Sequence, residues 1–208
     1  MVRDDIDFSP DAIAARLRQR LDPAWRRPAG DVGDPPDPRT FERAAANPRP
    51  AAVLVPILAR APEVTVLLTE RAANLRQHSG QIAFPGGKLD AGETALQAAL
   101  REAHEEVGLN PGEVAPIGEL ESYFTGTGFQ IVPVVAIVAP GAHLTINASE
   151  VAEAFEVPLS FLLDQRNHQV HSREWRGAQR SFYAMPYGEH YIWGATAAII
   201  RRLYERLR

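Results

Sequence analysis

Residues 87–109 read GKLDAGETALQAALREAHEEVGL, a glycine-containing loop followed by a predicted helix that carries three clustered carboxylates. A helix advances about 100° per residue, so Glu102, Glu105 and Glu106 share one of its faces. Like charges at this spacing destabilise a helix by roughly 0.2–0.5 kcal/mol per pair, and a cation among them would remove that cost. Carboxylate oxygens favour hard divalent ions, and the segment therefore predicts a site for Mg²⁺ or Mn²⁺.

The flanking residues predict where this helix begins and ends. Thr94 and Gln97 have the spacing of a capping box, in which the two side chains satisfy free N–H groups of the first turn. Gly108 is expected to end the helix. Between these ends lies an apolar stripe made of Leu96, Ala99, Leu100, Ala103 and Val107. One face would thus anchor the helix on a core, while another presents the carboxylates.

Seven residues of the segment stand at fixed spacing and resemble the Nudix box, G-x5-E-x7-R-E-U-x-E-E-x-G-U. They are Gly87, Glu93, Arg101, Glu102, Glu105, Glu106 and Gly108. A glutamate-rich helix alone is more often a solvated face with salt-bridge partners. Seven matches at set spacing should arise by chance about once in a million chains of this length. The resemblance implies an α/β fold, the Nudix-type α/β/α sandwich with a mixed β-sheet, and hydrolysis of a diphosphate.

The resemblance also implies roles for individual residues. The metal ligands would be the Gly87 carbonyl and the carboxylates of Glu102, Glu105 and Glu106. Arg101 and Glu93 would support catalysis by orienting those carboxylates. The general base would be Glu105 or Glu150, of which Glu105 is favoured. A structural alternative for Glu150 is a helix N-terminal residue that follows Asn147 and Ser149.

A second segment narrows the substrate class. Residues 67–87 read LLTERAANLRQHSGQIAFPGG and are similar to the signature of the coenzyme A pyrophosphatases within the Nudix group. The segments 123–135, 150–153 and 192–197 also resemble this family. The implied reaction is hydrolysis of the diphosphate in coenzyme A or its thioesters, giving 3′,5′-ADP and phosphopantetheine or its acylated form. Arg71, Arg76 and Lys88 are candidates for phosphate contacts, with a surface ion pair as the alternative for each.

Two other functions stay open at this point. One is hydrolysis of another nucleoside diphosphate derivative such as ADP-ribose, because the box specifies diphosphate chemistry and not the leaving groups. The other is a noncatalytic Nudix-like module that only binds a ligand. Zinc-protease chemistry is disfavoured because Gly108 stands where the second histidine of H-E-x-x-H would be.

The composition limits the partners and the compartment. The chain has 208 residues and no cysteine, 45% of it is hydrophobic, and its net charge is −4 with a pI near 5.9. This acidic balance favours a small anionic substrate bridged by metal over nucleic acid bound along a broad basic surface. The start of the chain, MVRDDID, lacks an apolar signal core, and no run approaches the 18 apolar residues of a membrane span. We therefore expect a soluble cytoplasmic protein that contacts no membrane, and the oligomeric state is left open.

The order of predicted elements indicates how the chain is organised. Residues 1–49 are expected to form an N-terminal helix, from Ser9 to about residue 21, and a proline-rich arm; residues 50–208 would form the Nudix hydrolase domain. Strands are expected at 51–59, 64–68, 81–84, 114–122, 131–138, 169–175, 180–185 and 187–193, and a closing helix at 195–207. The first two strands would form a hairpin, and Pro56 suggests an edge strand or a bulge. A mixed sheet with helices on both faces follows.

Overall fold

The computed structural model describes residues 7–20, 46–73, 80–175 and 178–208 of the chain. The helices in these ranges are α1 (Pro10–Arg20), α2 (Ala95–Val107), α3 (Leu159–Leu162) and α4 (Ala195–Leu207). Short 3₁₀ helices lie at Pro111–Glu113 and Gln165–Asn167. Most of the predicted proline-rich arm lies outside the described residues, as does Arg76. Within those ranges, every helix is too short or too polar to cross a bilayer.

Eight of the strands in the described ranges lie close to predicted positions, and three more, at residues 86–88, 123–124 and 151–158, are additional. They are β1 (Arg49–Leu58), β2 (Thr65–Arg71), β3 (Ile82–Ala83), β4 (Gly86–Lys88), β5 (Val114–Glu119), β6 (Tyr123–Phe124), β7 (Phe129–Val138), β8 (Val151–Pro158), β9 (Gln169–Trp175), β10 (Ala178–Tyr187) and β11 (His190–Trp193). The predicted β1–β2 hairpin is confirmed, with Ile57 opposite Val66.

The first eight strands form one mixed sheet whose main path runs β3-β2-β1-β7-β5. Strands β1 and β7 are parallel, with Val55 opposite Val135. The other pairings are antiparallel, and they add β4 to β1, β6 to β7 and β8 to β2. A separate antiparallel sheet has the order β11-β10-β9. The predicted mixed sheet is confirmed.

Both faces of the main sheet are covered by apolar side chains. Along β1, Val55 and Ile57 point into one core cluster, whereas Leu54 and Leu58 point into the other, as the two-residue period of a strand requires. Helix α2 packs on the second cluster through Ala99, Ala103 and Val107. Helices α1 and α4 pack on the first. The layers are thus helix, sheet and helix, as predicted.

Helix α1 is part of the core that α4 also covers. Ile13 and Leu17 are fully buried in the same cluster as Ile200 and Leu203 of α4. Helix α1 also contacts β5, which ends the main path of the sheet. The proposed division of the chain near residue 49 stays a prediction.

Strand β8 was not predicted from the sequence. Residues 151–158 read VAEAFEVP, and alanine and glutamate favour helices over strands. Antiparallel pairing with β2, with Phe155 opposite Leu68, holds the segment extended. The reading of Glu150 as a helix N-terminal residue is therefore wrong, because a turn at Asn147 leads directly into β8.

The expectation that Pro56 marks an edge strand or a bulge is also wrong. Strand β1 lies in the middle of the sheet, and Pro56 is buried opposite Ala136 of β7. On the other side, β4 pairs with β1 up to Val53, and β2 pairs with it only from Ile57 onward. Pro56 falls between these two pairings, so on that side its missing N–H removes no ladder bond.

Candidate active site

The capped ends of α2 fix the direction in which its carboxylates point. The Thr94 hydroxyl accepts a hydrogen bond from the Gln97 N–H (3.2 Å), and the Gln97 side chain accepts one from the Thr94 N–H (2.8 Å). Gly108 ends the helix with φ +67°, a left-handed conformation that glycine adopts without strain. Its N–H donates to the His104 carbonyl (2.9 Å). Both predicted caps are confirmed.

The two glycines before α2 allow the loop backbone to approach the helix and the sheet. A Cβ on Gly86 would lie 2.6 Å from the Cα of Val53, closer than van der Waals contact allows. A Cβ on Gly87 would overlap the carboxylate of Glu102, with one carboxylate oxygen 2.7 Å away. The absence of a side chain at residue 87 therefore lets Glu102 lie directly against the backbone of this loop.

Glu106 is the most deeply buried carboxylate of the cluster, with 3% of its surface exposed. Its carboxylate accepts a hydrogen bond from the Gly86 N–H (3.2 Å), and Arg71 Nη1 lies 3.7 Å from its second oxygen. Burial raises the pKa of Glu106 to about 7, although these two contacts oppose the rise. The charges of Glu102 and Glu150 contribute to this rise.

Glu102 is less deeply buried than Glu106, and its pKa is shifted in the same direction. Burial raises the pKa of Glu102, and its ion pair with Arg101 opposes that rise. The charges of Glu105 and Glu150 raise the pKa further. Carboxylates that are desolvated and that repel one another fit a hard divalent cation, which offers the positive charge that oxygen ligands need. The residues present therefore fit the Mg²⁺ or Mn²⁺ predicted from the sequence.

Arg101 connects the predicted supporting residues to this cluster. Its Nε and Nη2 donate to the two oxygens of Glu93 at 2.8 and 3.0 Å. Its Nη1 donates to Glu102 (2.9 Å) and Glu105 (3.1 Å), and Nη2 also donates to the Lys88 carbonyl (3.1 Å). The Arg101 guanidinium lowers the pKa of Glu93 to about 2. The bidentate pair with Glu93 thus fixes the Arg101 guanidinium. This guanidinium in turn holds the carboxylates of Glu102 and Glu105 and the backbone of the loop at Lys88.

Glu105 and Glu150, the two candidates for the general base, differ in their surroundings. The Glu105 side chain is half exposed (51%). The Glu150 carboxylate accepts a hydrogen bond from the Asn147 side chain (3.3 Å), and its carbonyl accepts one from the Ala72 N–H (2.9 Å). The Glu150 charge raises the pKa of both Glu102 and Glu106, so it acts on the cluster although Glu150 lies outside α2. Both remain candidates.

The predicted phosphate-binding residues are not equivalent in the structure. Arg71 contacts Glu106 and also lines a cavity beside the carboxylates. Lys88 has an exposed side chain and is not among the described residues that line the cavity. Arg76 lies outside the described residues. Of the three, Arg71 is the residue that the structure brings to both the carboxylate cluster and the cavity.

The cavity encloses about 350 Å³ between the main sheet, the second sheet and the start of α4. Its wall includes two arginines that were not predicted as site residues, Arg173 of β9 and Arg180 of β10. Its aromatic side chains are Tyr123, Phe129, Phe182 and Trp193, together with Phe84. The sequence signal for this wall is the family resemblance of segments 67–87, 123–135 and 192–197, which contribute Phe84, Tyr123, Phe129 and Trp193 but neither Arg173 nor Arg180.

A second group of possible ligand atoms lies at the β2–β8 pairing. Glu70 and Glu153 are directly opposite one another, and each offers an atom within 4.8 Å of the other and of His190. The His190 ring stacks on Phe155 with a centroid separation of 3.7 Å. No other feature of the described residues marks this group as a binding site, and it is distinct from the carboxylates of α2.

Comparisons with known proteins agree with this geometry. The model of the Nudix domain matches residues 48–178. An uncharacterized Nudix hydrolase NudL from Photorhabdus laumondii is 42% identical over 175 residues, which are 84% of this chain and 91% of that protein. A second uncharacterized Nudix hydrolase NudL, from Enterobacter sp. (strain 638), is 44% identical over 164 residues, which are 78% of this chain and 85% of that protein. The crystal structure of the Nudix hydrolase RenU from M. smegmatis superposes with a TM-score of 0.54 at 26% identity, covering 76% of this chain and 84% of RenU. The chain belongs to the Nudix hydrolase family.

Proposed function

We propose that this Nudix hydrolase cleaves the diphosphate bond of coenzyme A and its thioesters, using Mg²⁺ or Mn²⁺. The products would be 3′,5′-ADP and phosphopantetheine or its acylated form. The observation that supports this proposal most is the position of Arg71. Its guanidinium lies 3.7 Å from Glu106 in the carboxylate cluster and also lines the cavity. It is also part of the segment that is similar to the coenzyme A pyrophosphatase signature.

The proposed metal ligands are those of the predicted set. They are the carbonyl of Gly87 and the carboxylates of Glu102, Glu105 and Glu106. A divalent cation bound there neutralises phosphate charge and lowers the pKa of a bound water. Burial of Glu106 and the close packing of Glu102 on Gly87 give the chain little freedom to rearrange these oxygens. The cluster is therefore already organised before a substrate arrives.

Other residues of the chain would position groups or move the proton. Arg101 would be a positioning residue, because Glu93 holds its guanidinium while the guanidinium holds Glu102 and Glu105. The general base would be Glu105, whose half-exposed carboxylate can reach water, with Glu150 as the alternative. In either case that carboxylate accepts the proton of the attacking water, and the leaving phosphate departs with the electron pair of the broken P–O bond.

Positively charged side chains at the cavity would bind the phosphates. Arg71 can donate two parallel hydrogen bonds to a phosphate, which suits the diphosphate next to the carboxylates. Arg76 and Lys88 remain proposed contacts on the strength of the family resemblance alone. We further propose a cytoplasmic location and a small-molecule substrate as the partner of this site.

A comparison of substrates tests the proposal. The protein is incubated with Mg²⁺ or Mn²⁺ and separately with coenzyme A, ADP-ribose and NADH, and the products are identified by mass spectrometry. We expect 3′,5′-ADP from coenzyme A at the highest kcat/KM. Faster turnover of ADP-ribose or NADH would assign the protein to another Nudix activity. No turnover of any of the three would favour a ligand-binding module.

A further inference from the structure

The second sheet forms one wall of the cavity, and two arginines lie side by side on that wall. Arg173 of β9 and Arg180 of β10 are direct partners across the antiparallel ladder, and both side chains line the cavity. Residues directly opposite in such a ladder have Cβ atoms about 4.5–5.5 Å apart, and like charges in this position repel. Two guanidinium groups placed together at a cavity concentrate positive charge there, which favours an anionic ligand.

Arg173 lies against two aromatic side chains. Its guanidinium carbon lies 4.7 Å from the centroid of the Trp193 ring and 5.9 Å from that of Phe182. The two rings also contact one another, with centroids 5.4 Å apart. Stacking uses the faces of a guanidinium, whereas its N–H donors lie in its plane, where bidentate contacts to phosphate are made. Aromatic contacts of this kind are therefore compatible with a bidentate contact between Arg173 and a phosphate.

The two arginines reach the cavity from a different sheet than Arg71. Arg71 belongs to β2 of the main sheet and contacts Glu106 in the carboxylate cluster. Arg173 and Arg180 belong to the second sheet, and Arg180 Nη1 faces the backbone of Gly126, where a Cβ would lie 3.4 Å away. A ligand that reaches from the cluster to the second sheet would carry one anionic group at each end.

We propose that Arg173 and Arg180 form a second anion site that binds a phosphate monoester on the nucleoside end of the substrate, separate from the diphosphate that is cleaved. This inference rests on the proposed function, because it takes the diphosphate to lie at the carboxylate cluster. Within that function the ligand group is the 3′-phosphate of the adenosine half, which dephospho-coenzyme A, ADP-ribose and NADH lack. The pair would then act as a determinant of specificity and take no part in bond breaking.

Product binding tests the inference without any turnover. Titration calorimetry on the metal-free full chain compares 3′,5′-ADP with 5′-AMP, which differ only by the monoester phosphate. We expect the wild-type protein to bind 3′,5′-ADP at least about tenfold more tightly, since charge-assisted hydrogen bonds are among the strongest polar contacts. Arg173→Gln and Arg180→Gln should each remove most of this difference and leave 5′-AMP affinity within about twofold. Arg173→Lys, which keeps the charge but not the fork, should retain part of it.

A matched control is available on α4. Arg201 also stacks on an aromatic ring, with its guanidinium carbon 5.0 Å from the centroid of Tyr204, but it is not among the described residues that line the cavity. Arg201→Gln should leave both affinities unchanged. Thermal unfolding of every variant verifies that the fold is intact.

Kinetics then separate the inference from the proposed function. With Mn²⁺, Arg173→Gln and Arg180→Gln should raise KM for coenzyme A about tenfold or more, with kcat and the turnover of dephospho-coenzyme A nearly unchanged. Equal loss for both substrates, or no preference of the wild type for 3′,5′-ADP in the titration, would overturn the anion site. If neither substrate is hydrolysed while the preference in binding holds and depends on both arginines, the anion site stands and the proposed function fails.

Discussion

Replacing Glu106 with Gln should stabilise the metal-free protein at pH 8. Burial raises the pKa of Glu106 to about 7 from an ordinary value of 4.5. In the unfolded chain the carboxyl loses its proton near the ordinary value, so between these two pKa values the folded state binds more protons than the unfolded state. The stability of the wild-type protein therefore falls as the pH rises through this window. Glutamine does not ionise and does not share the loss.

The size of the effect follows from the same two pKa values. They differ by about 2.5, and each pKa unit corresponds to about 1.4 kcal/mol, which gives about 3 kcal/mol. A glutamine oxygen can still accept the hydrogen bond that Gly86 donates to Glu106 (3.2 Å). The side-chain volume hardly changes, so packing adds little. We expect Glu106→Gln to gain about 3 kcal/mol relative to wild type between pH 4 and pH 8.

Urea unfolding of both proteins in EDTA, across this pH range, measures the difference. Addition of Mg²⁺ at pH 8 provides a control, because a cation bound among the carboxylates should stabilise the wild type more than the variant. A difference between the two proteins that does not change with pH would refute the reasoning. Equal stabilisation of both proteins by Mg²⁺ would show that Glu106 does not contribute to cation binding.

Three further predictions concern the base and the fold. The pH–rate profiles of Glu105→Gln and Glu150→Gln should differ, because only loss of the general base removes the rising limb; an unchanged profile for Glu105→Gln would transfer the role to Glu150. Leu17→Ala should lower the free energy of unfolding by about 2–5 kcal/mol, measured by urea unfolding, because Leu17 is fully buried against α4. Thr94→Ala should cost about 1 kcal/mol through loss of the capping box of α2, and no measurable cost would contradict the role of that cap.

The parts of the fold that depend on local chemistry could be predicted from the sequence. Helix α2 begins after Thr94 and ends before Gly108 as expected, because caps are formed by neighbouring residues. Helix α4 and most strands also follow from their apolar periodicity. Strand β8 does not, since its alanines and glutamates favour a helix and only its pairing with β2 makes it extended. The place of Pro56 in a central strand is not predictable for a similar reason, because a proline fits there only where no strand pairs with β1 on the side of its missing N–H.

In the candidate site, too, features set by neighbouring residues could be predicted, and features set by long-range packing could not. The carboxylates of residues 102–106 are close in sequence and could be placed on one helix face from spacing alone. The cavity wall depends on which face of the β9–β10 hairpin points inward, and this places Arg173 beside Trp193 and Arg180 in the same wall. Alternation within a strand gives two possible faces, and only packing against the main sheet selects one. The arginines of the second sheet were therefore not predictable as site residues.

The rate of 3′,5′-ADP formation from coenzyme A with Mn²⁺ tests the central claim most directly. It should be measured for the wild type, for Glu106→Gln and for Glu113→Gln, a control in the 3₁₀ helix Pro111–Glu113. We predict that Glu113→Gln matches the wild type and that Glu106→Gln is slower by about a hundredfold or more. Formation of 3′,5′-ADP by Glu106→Gln at the wild-type rate, or none by the wild type itself, would contradict the claim.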